Sequence, residues 1–352
     1  MAGRRTNLAL MALLIGALFT GALAYATGTG WARLWVIAHG VVGLGIVALA
    51  PWKSVIVRRG LARRRRGWVI SLAFAVLVAV AITFGILHAT GVVVSLGEIT
   101  SLQIHVGAAL LAIALGLLHV LAKRVRMQRT DLTRRNLLRT GALLGATGVA
   151  YAAVEGLVRA TSLPGADRRF TGSYETGSFR PGYMPVTQWL NDSVPSIESA
   201  EWRLTVGAGS TERVWTYDEL ARFEDRVRAT IDCTGGWFAE QDWEGVRLSR
   251  LFPDVGEARS LSVGSTTGYG RRFPVRDLPN LLLATRVGGV PLSPGHGFPA
   301  RIVAPGRRAS SVMSRLTGAA NKTEKRSSGP GYSPRVQSAI VIGAGVFGAS
   351  LA

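Results

Sequence analysis

The single cysteine of the chain, Cys233, stands where a thiol could bind a metal or a substrate. It follows the run from Arg226 to Ile231, which predicts a β-strand, and it precedes a Thr-Gly-Gly turn. Glycine lets the backbone approach a ligand closely, and a turn presents the thiolate at a loop. A lone cysteine excludes an intramolecular disulfide, so the alternative to a ligating role is a small buried packing residue.

Four of the five histidines stand in apolar stretches: His39, His88, His105 and His119. Ionisable side chains are costly inside a bilayer and usually serve a function there. His105 and His119 are fourteen residues apart, so a helix returns them to within about 40° of one face with a rise of about 21 Å. This spacing resembles that of the cytochrome b helices that bind two hemes, and imidazole is a usual heme ligand. The alternative is that the four are hydrogen-bonded structural residues.

The depth of each histidine decides which pairs could hold a heme. His88 stands near the outer end of the third apolar stretch and His39 in the outer half of the second, so either could pair with His105. His119 stands deeper, toward the cytoplasm, without an obvious partner at its depth. We therefore expect one outer b-type heme, held by His105 together with His88 or His39.

Apolar stretches dominate the first 160 residues, and five of them approach the roughly 20 residues that span a bilayer. They run over Leu8–Ala26, Leu34–Ala50, Trp68–Ala89, Leu102–Ala122 and Leu137–Val158. Arginine and lysine crowd the connections at 51–67 and 123–135 and are absent from those near 27–31 and 91–101. The positive-inside rule predicts a multi-pass protein of the cell membrane, in contact with lipid, with everything after about Leu163 outside the cytoplasm.

The net charge of +20 comes largely from clusters that flank apolar stretches, so it does not indicate nucleic-acid binding. The run from Thr133 to Leu138, Thr-Arg-Arg-Asn-Leu-Leu, opens the fifth stretch and resembles a twin-arginine export signal placed inside the chain. In that interpretation the twin-arginine machinery exports an already folded outer domain, and Sec inserts the first four helices. The alternative is a further pair of positive-inside arginines.

Several motifs follow one another between about residues 170 and 308. They are an Asn-x-x-x-Pro segment from Asn191 to Pro195, a Trp-Arg-Leu strand, the Cys233 turn, a Trp-x-Gly-Val-x-Leu-x-x-Leu helix from Trp243 to Leu251, a Gly-Tyr-Gly segment at Tyr269, and a His-Gly-x-Pro-x-Arg-x-x-x-Pro-Gly motif from His296 to Gly306. In this order they resemble the sulfite oxidase-like molybdopterin oxidoreductases. An α+β fold is implied, which short strands mixed with few helices also favour.

The resemblance implies roles for five residues. Cys233 matches the cysteine whose sulfur coordinates molybdenum, and a soft thiolate suits such a centre. His296 and Arg301 match residues that contact the pterin, where a guanidinium can grip the phosphate in a bidentate way. Asn191 matches an asparagine that lines the cofactor, and Tyr269 is assigned to the same molybdopterin through its motif.

This chain also departs from the family pattern at two places. The sulfite-oxidising members carry Asn-Arg-Arg soon after the cysteine, where this chain has Gly236, Trp237 and Phe238, and they carry an arginine in place of Leu190. A dianionic sulfite pocket needs such cations, so we expect a less charged substrate. After Arg308 a linker rich in Ser, Gly, Lys and Arg replaces the aromatic, lysine-containing strand of the family, so the domain is expected to be truncated.

Near its end the chain carries a second motif. Residues 339–348 read Ala-Ile-Val-Ile-Gly-Ala-Gly-Val-Phe-Gly, which predicts a strand that leads into a G-x-G-x-x-G turn. A dinucleotide-binding site needs a βαβ unit of about 30 residues, and four residues follow Gly348. Neither FAD nor NAD binding is therefore expected.

These expectations combine into a multi-domain chain. Residues 1–125 are predicted to form a four-helix, heme-binding-like transmembrane bundle, 126–163 the twin-arginine-like signal and fifth helix, 164–308 the molybdopterin domain, and 309–352 a linker with the orphan glycine motif. The leading hypothesis is a membrane-anchored molybdopterin-dependent oxidoreductase. Electrons would pass between an extracytoplasmic molybdenum site, a transmembrane b-type heme, and a quinone or other membrane carrier. The alternative is a non-catalytic, heme-bearing electron carrier or anchor with a degenerate outer domain.

Overall fold

The structure is a computed structural model that describes residues 2–62, 68–97, 99–122, 128, 133–186, 194, 196–208, 211–265, 270–306 and 340–343. The chain divides into two compact units, Met1–Tyr174 and Glu175–Ala352.

Long helices make up most of the first unit. They are α1 (Ala2–Ala26), α2 (Ala32–Ala62), α3 (Trp68–Thr90), α4 (Ser101–Ala122) and α5 (Arg134–Ala160), with a small hairpin of β1 (Ser95–Leu96) and β2 (Ile99–Thr100) between α3 and α4. Each helix contains a segment long and apolar enough to cross a membrane, as the sequence predicts. Large apolar side chains such as Leu111, Val149 and Leu157 stay exposed on the helix surfaces. Such surfaces suit contact with lipid.

Helix α2 is longer than the sequence predicts. Residues 51–62, expected to belong to a loop, continue the helix through Pro51. Proline removes one backbone donor and tends to kink a helix, but the residues after it can still bond to one another. Lys53 also donates a hydrogen bond from Nζ to Oδ1 of Asn7 at 2.9 Å, which ties this extension to α1.

The helices of the first unit pack in pairs, α1 on α2 and α3 on α4, and α5 packs on α2. The contact between α2 and α5 depends on a glycine, Gly40, which has no side chain. A Cβ atom on Gly40 would lie 2.4 Å from Cε2 of Tyr151, well inside van der Waals contact. Glycine at this position therefore lets the tyrosine ring lie directly on the backbone of α2.

The second unit mixes short strands with one-turn helices. After β3 (Tyr174–Glu175), at the boundary of the units, its elements are β4 (Arg203–Ala208), β5 (Thr211–Thr216), α6 (Tyr217–Ala221), β6 (Asp225–Asp232), β7 (Trp237–Arg247), α7 (Leu248–Leu251), β8 (Ser260–Ser265), β9 (Gly270–Pro274), β10 (Leu282–Val287), β11 (Val290–Pro291), β12 (Arg301–Val303) and β13 (Ile340–Gly343). The predicted α+β architecture of this region is confirmed.

Strand β10 organises the main sheet. It pairs antiparallel with β7, β11 and β12, and β7 pairs antiparallel with β6. Alternate residues of β10 enter two different apolar clusters, Leu283 on one face and Leu282 with Ala284 on the other. The second cluster also contains Cys233, so the sheet separates a structural core from the face that carries the candidate site.

Most predicted strands are present within a residue or two of their expected ends. Strands β4, β6, β8, β10 and β12 correspond, in that order, to the segments predicted near 201–207, 226–231, 261–264, 281–287 and 300–303. The predicted cap of α6 is also present, because Oγ1 of Thr216 accepts from the Glu219 amide at 3.3 Å and the Glu219 carboxylate accepts from the Thr216 amide at 2.8 Å. The strand of the glycine motif, β13, pairs in parallel with β8.

The prediction of a helix over Trp243–Leu251 is wrong. Trp243 to Arg247 continue β7, and helical structure is confined to α7. Strand β7 bonds to β6 on one edge and to β10 on the other, so a helix here would lose two hydrogen-bond ladders. At Gly245 the neighbouring strand comes so close that a Cβ atom would lie 2.0 Å from the carbonyl oxygen of Leu283.

The close approach at Gly245 predicts the outcome of a substitution. Gly245→Ala forces the β7–β10 pairing apart and is expected to destabilise the second unit by about 1–3 kcal/mol, or a few degrees in Tm. The measurement is thermal unfolding of the full chain in detergent, followed by tryptophan fluorescence. Gly182→Ala is the matched control, because nothing lies within 4 Å of its added Cβ. Equal melting temperatures for the two variants would contradict the prediction.

Candidate functional site

The turn between β6 and β7 presents the sulfur of Cys233. The Cys233 amide donates to the carbonyl oxygen of Trp237 at 2.8 Å, and the Gly236 amide donates to the Cys233 carbonyl oxygen at 3.1 Å. The backbone amide of Gly235 points at the sulfur itself, with N to Sγ 3.3 Å apart. An amide that donates to sulfur favours the thiolate, so this turn both fixes Cys233 and suits it to ligate a metal.

Arg301 is brought to the same face of the sheet from the other end of the domain. It begins β12, whose register places it opposite Ala284 of β10. Its side chain is buried, its NH1 donates to the carbonyl oxygen of His296 at 3.0 Å, and its guanidinium carbon lies 5.3 Å from the centre of the Trp243 ring. A buried guanidinium held in one orientation can meet an anion without rearranging.

His296 ends a short 3-10 turn just before Gly297. Its Nδ1 lies 2.8 Å from Oγ of Ser293, and its Nε2 is buried without a hydrogen-bond partner among the described residues. Gly297 adopts φ +105°, and a Cβ atom there would lie 2.9 Å from Cβ of Arg301. The glycine of the His-Gly motif is thus needed both for the backbone conformation and for the close packing of the turn on Arg301.

Burial sets the charge states of these groups. It lowers the pKa of Arg301 to about 10, against the opposing influence of the Cys233 sulfur. It also lowers the pKa of His296 to about 4, with Arg301 acting in the same direction and the carbonyls of Pro185 and Met184 opposing. Near neutral pH His296 is therefore uncharged, while Arg301 is a cation that faces Cys233.

The structure brings together three of the five residues assigned to molybdopterin. Cys233, His296 and Arg301 share one face of the sheet, whereas Asn191 and Tyr269 lie outside the described residues. A thiolate, a buried cation and a neutral imidazole fit a thiolate-ligated molybdenum with an anionic pterin. Sequence reasoning missed Trp243 and Ser293 as supports of Arg301 and His296, since neither stands out from its motif neighbours.

In the first unit the structure brings His39 of α2 and His105 of α4 together. Their ring centres are 5.6 Å apart and the ring planes are nearly perpendicular, at 84°. Nδ1 of His39 lies 3.0 Å from the Ala17 carbonyl oxygen, and Nδ1 of His105 bonds to the Ala81 carbonyl oxygen at 2.6 Å. Donation from both Nδ1 atoms leaves both Nε2 atoms as lone-pair donors, the arrangement in which imidazoles bind metals.

The two histidine sites are built in the same way. Each histidine stands on the second helix of a packed pair and bonds to a carbonyl of the first helix. Four residues after each accepting carbonyl stands a glycine, Gly21 or Gly85, whose Cβ would lie 2.9 Å from the imidazole ring. Because both glycines make room for a ring, the α1–α2 and α3–α4 pairs each present one imidazole to the other pair.

The remaining membrane histidines lie elsewhere. Nε2 of His88 lies 2.9 Å from the carbonyl oxygen of Gly172, and its ring packs edge-on against Tyr174. The Tyr174 hydroxyl donates to the His88 carbonyl, and burial raises the pKa of this tyrosine to about 12. His119 lies 3.0 Å from Oγ of Ser71 and stacks on Phe74. Of the two partners considered for His105, the structure therefore juxtaposes His39.

Within the part of the chain that the structure describes, no group of three or more His, Cys, Asp or Glu side chains could hold a bare metal ion. The His39–His105 pair offers two nitrogen ligands only. A heme needs no more than two axial ligands from the protein, and metal–nitrogen bonds are about 2 Å long. The pair therefore supplies the number of protein ligands that a heme would take, which is too few for a bare metal ion.

Comparison with known proteins gives one family match. A family model described as the oxidoreductase molybdopterin binding domain matches residues 191–327. The matched span includes Cys233, His296 and Arg301 and ends nineteen residues beyond Arg308. The second unit is therefore similar to molybdopterin-binding oxidoreductase domains. The truncation expected after Arg308 stays a prediction.

Among solved structures, the crystal structure of the sulfane dehydrogenase SoxCD from Paracoccus pantotrophus is similar at 21% identity and a TM-score of 0.32. The similarity covers 42% of this chain and 40% of that one, so the chain spans well under two thirds of that protein's length. A likeness this distant bears on neither fold nor function. No curated protein matches the chain.

The packing of Arg301 predicts a site-specific loss of cofactor. Arg301→Gln removes the charge of that side chain and its bond to the His296 carbonyl. Pterin retention after purification is therefore expected to fall at least about tenfold. This factor corresponds to the loss of about 1.4 kcal/mol or more, the contribution of one charged hydrogen bond. Arg228→Gln, which removes an exposed ion pair with Asp242, is the matched control. Pterin fluorescence after acid extraction measures the result, and equal pterin content in both variants would contradict it.

Proposed function

We propose that the protein is a membrane-anchored, molybdopterin-dependent oxidoreductase whose outer domain carries the molybdenum and whose helical unit carries one b-type heme. The observation that carries the proposal is the meeting of Cys233 and Arg301 on one buried face, inside the span that matches the molybdopterin-binding family. A thiolate and a guanidinium so placed have a clear use as a metal ligand and an anion clamp.

Three residues of the chain have separate proposed roles in the outer site. Cys233 would ligate the metal, Arg301 would balance the negative charge of thiolate and pterin, and His296 would offer Nε2 to the cofactor. When bound, the molybdenum supplies two-electron oxygen-atom transfer. Because Arg301 is already held by His296 and Trp243, it need not be reoriented when the cofactor enters.

The surroundings of Cys233 favour an uncharged substrate. Met184, Trp237, Trp243 and Leu292 belong to the same buried apolar cluster as the cysteine. A doubly charged anion such as sulfite loses its hydration in such surroundings, and the one cation that faces Cys233 among the described residues, Arg301, is already assigned to the thiolate and the pterin. A neutral oxygen donor or acceptor, such as a sulfoxide or a thioether, carries no such cost. We therefore propose a neutral sulfur compound as the substrate class.

The His39–His105 pair supports the heme assignment. A protein that performs two-electron chemistry outside the membrane needs a route for electrons, and a heme in the bundle supplies single-electron steps. His39 and His105 would be its axial ligands, each fixed in one tautomer by a helix carbonyl. We propose one heme at this pair, with His88 and His119 in structural roles.

The proposed topology places the amino terminus inside and the second unit outside the cytoplasm. The loop charges support it, as do exposed tryptophans near the ends of the apolar spans, namely Trp31, Trp52 and Trp68. Tryptophan prefers the interface of the bilayer. Arg134 and Arg135 open α5, with Thr133 as its cap, and twin-arginine export of the outer domain stays part of the proposal.

A second candidate function is a heme-bearing electron carrier or anchor whose outer domain binds no molybdenum. The observation that favours it is the change of sequence character after Arg308. Metal analysis of the purified protein separates the two, because molybdenum with heme supports the oxidoreductase and heme alone supports the carrier.

Substitution of the cysteine tests the oxidoreductase proposal directly. Cys233→Ser is nearly isosteric, so the fold is expected to survive while sulfoxide reduction with an artificial electron donor falls by two orders of magnitude or more, the scale of losing an essential group. Molybdenum content, pterin content and thermal unfolding are measured alongside. Full activity in the folded variant would overturn the ligand role. Absence of molybdenum and pterin from wild type, in a host that makes both, would favour the carrier.

Single histidine substitutions test the heme assignment. His39→Ala and His105→Ala are each expected to abolish the reduced b-type absorption spectrum of membranes, because each removes an axial ligand. His88→Ala and His119→Ala serve as matched controls and should retain the spectrum. Loss of the spectrum in His88→Ala, with retention in His39→Ala, would reassign the outer partner of His105.

A further inference from the structure

Glu155 is the only acidic residue within helices α1 to α5. It lies less than two turns from the end of α5, and its side chain is 22% exposed. Ionisable residues inside a membrane are costly and point to a functional site, whose partner should be identified. The structure supplies partners on both sides of this carboxylate.

Tyr151 and Arg168 complete a polar cluster around Glu155. NH2 of Arg168 donates to Oε1 of Glu155, while NH1 donates to the carbonyl oxygens of Ala89 and Gly165. The Tyr151 hydroxyl bonds to both Glu155 and Arg168. The guanidinium thus orients the carboxylate, and the phenol adds a hydroxyl that can both donate and accept.

This cluster adjoins the histidine pair. The Tyr151 ring lies on Gly40, the residue after His39 in the chain, at the close contact between α2 and α5. His39 in turn lies against His105. One side of the contact carries groups that can exchange protons, and the other carries the proposed ligands of a redox centre.

Lipid has access to this region along α5. The helix packs mainly on α2. The Glu155 side chain is 22% exposed, and Ala152 and Arg159, which neighbour it on the same side of the helix, are exposed. In the proposed membrane topology, a molecule dissolved in the bilayer can therefore approach Glu155 along this side of α5. The chemistry that such a place recognises is a polar ring hydroxyl attached to an apolar body.

We propose that Tyr151 and Glu155 bind the head group of a lipid-soluble hydroquinone, the electron donor of the bundle. This inference rests on the proposed function. Glu155 accepts the proton of one ring hydroxyl, and Tyr151 hydrogen-bonds the ring oxygen. Oxidation breaks two O–H bonds, and two protons leave toward the outer water. The two electrons would leave toward His39 and His105, which would hold a heme that takes them one at a time. With a sulfoxide as final acceptor, hydroquinone and sulfoxide give quinone, thioether and water.

The first experiment measures heme reduction in membrane vesicles by decyl-hydroquinone and, separately, by dithionite. Glu155→Gln keeps the shape and a hydrogen-bond acceptor but loses the base, so reduction by the hydroquinone should slow at least about tenfold. Reduction by dithionite and the heme content should not change. Tyr151→Phe keeps the ring on Gly40 and should weaken the apparent affinity for hydroquinone, whereas Tyr25→Phe is the matched control on α1.

Two outcomes of that experiment overturn the site. If both Glu155→Gln and Tyr151→Phe show the wild-type rate of heme reduction by hydroquinone, the quinone site is overturned. The cluster would then have the structural role of holding Arg168 against the ends of α3 and α5. If Glu155→Gln fails to accumulate in the membrane, Tyr151→Phe alone decides between the two roles, because it removes the hydroxyl and leaves the ion pair intact.

A second experiment separates this inference from the heme assignment. A photoreactive azido-benzoquinone is bound to vesicles that contain the full protein, and the labelled peptide is mapped. Label on residues of α5 near Tyr151 and Glu155, displaced by decyl-quinone, supports the site even in a variant without heme. Label confined to other helices overturns it. Absence of heme from wild type, with label on α5, would remove the proposed function and leave the quinone site.

Discussion

Burial of the Arg301 guanidinium is the constraint on which the candidate site depends. Arginine does not give up its proton under physiological conditions, so a buried guanidinium must be matched by acceptors or an anion. Here the His296 carbonyl, the Trp243 ring and the Cys233 sulfur supply the match. The tight turn at Gly297 and the pairing of β12 with β10 both follow, since each is needed to bring one of these groups to the cation.

In the helical unit, polar groups in an apolar environment also need hydrogen-bond partners. An imidazole inside a bundle needs a partner for its N–H group, and His39 and His105 each find one in a helix carbonyl. Those carbonyls are reachable because the residues four positions later, Gly21 and Gly85, have no side chain. The same arrangement in both helix pairs brings the two rings within 5.6 Å of each other with their Nδ1 atoms already bonded, and the proposed heme rests on this juxtaposition.

Local sequence patterns explain which elements were predictable. Apolar runs of about twenty residues have no stable alternative to a helix in a membrane, and all five were found. The α6 cap was found because Thr216 and Glu219 bond within one turn. The segment Trp243–Arg247 was assigned wrongly because its motif contains no signal for the two neighbouring strands that hold it extended. The extension of α2 beyond Pro51 was missed because proline and nearby charges usually end a helix.

The sequence by itself determined the residues capable of chemistry, Cys233, His296, Arg301 and the membrane histidines, because their residue types and short motifs are local properties. Only the tertiary structure decided which of them meet. His39 and His88 are equally suited to partner His105 by depth, and the packing of α2 and α4 juxtaposes His39. Arg301 was expected to reach a pterin phosphate, and the fold also places it beside Cys233. Distances between residues far apart in the chain follow from how helices and strands pack, which no local pattern encodes.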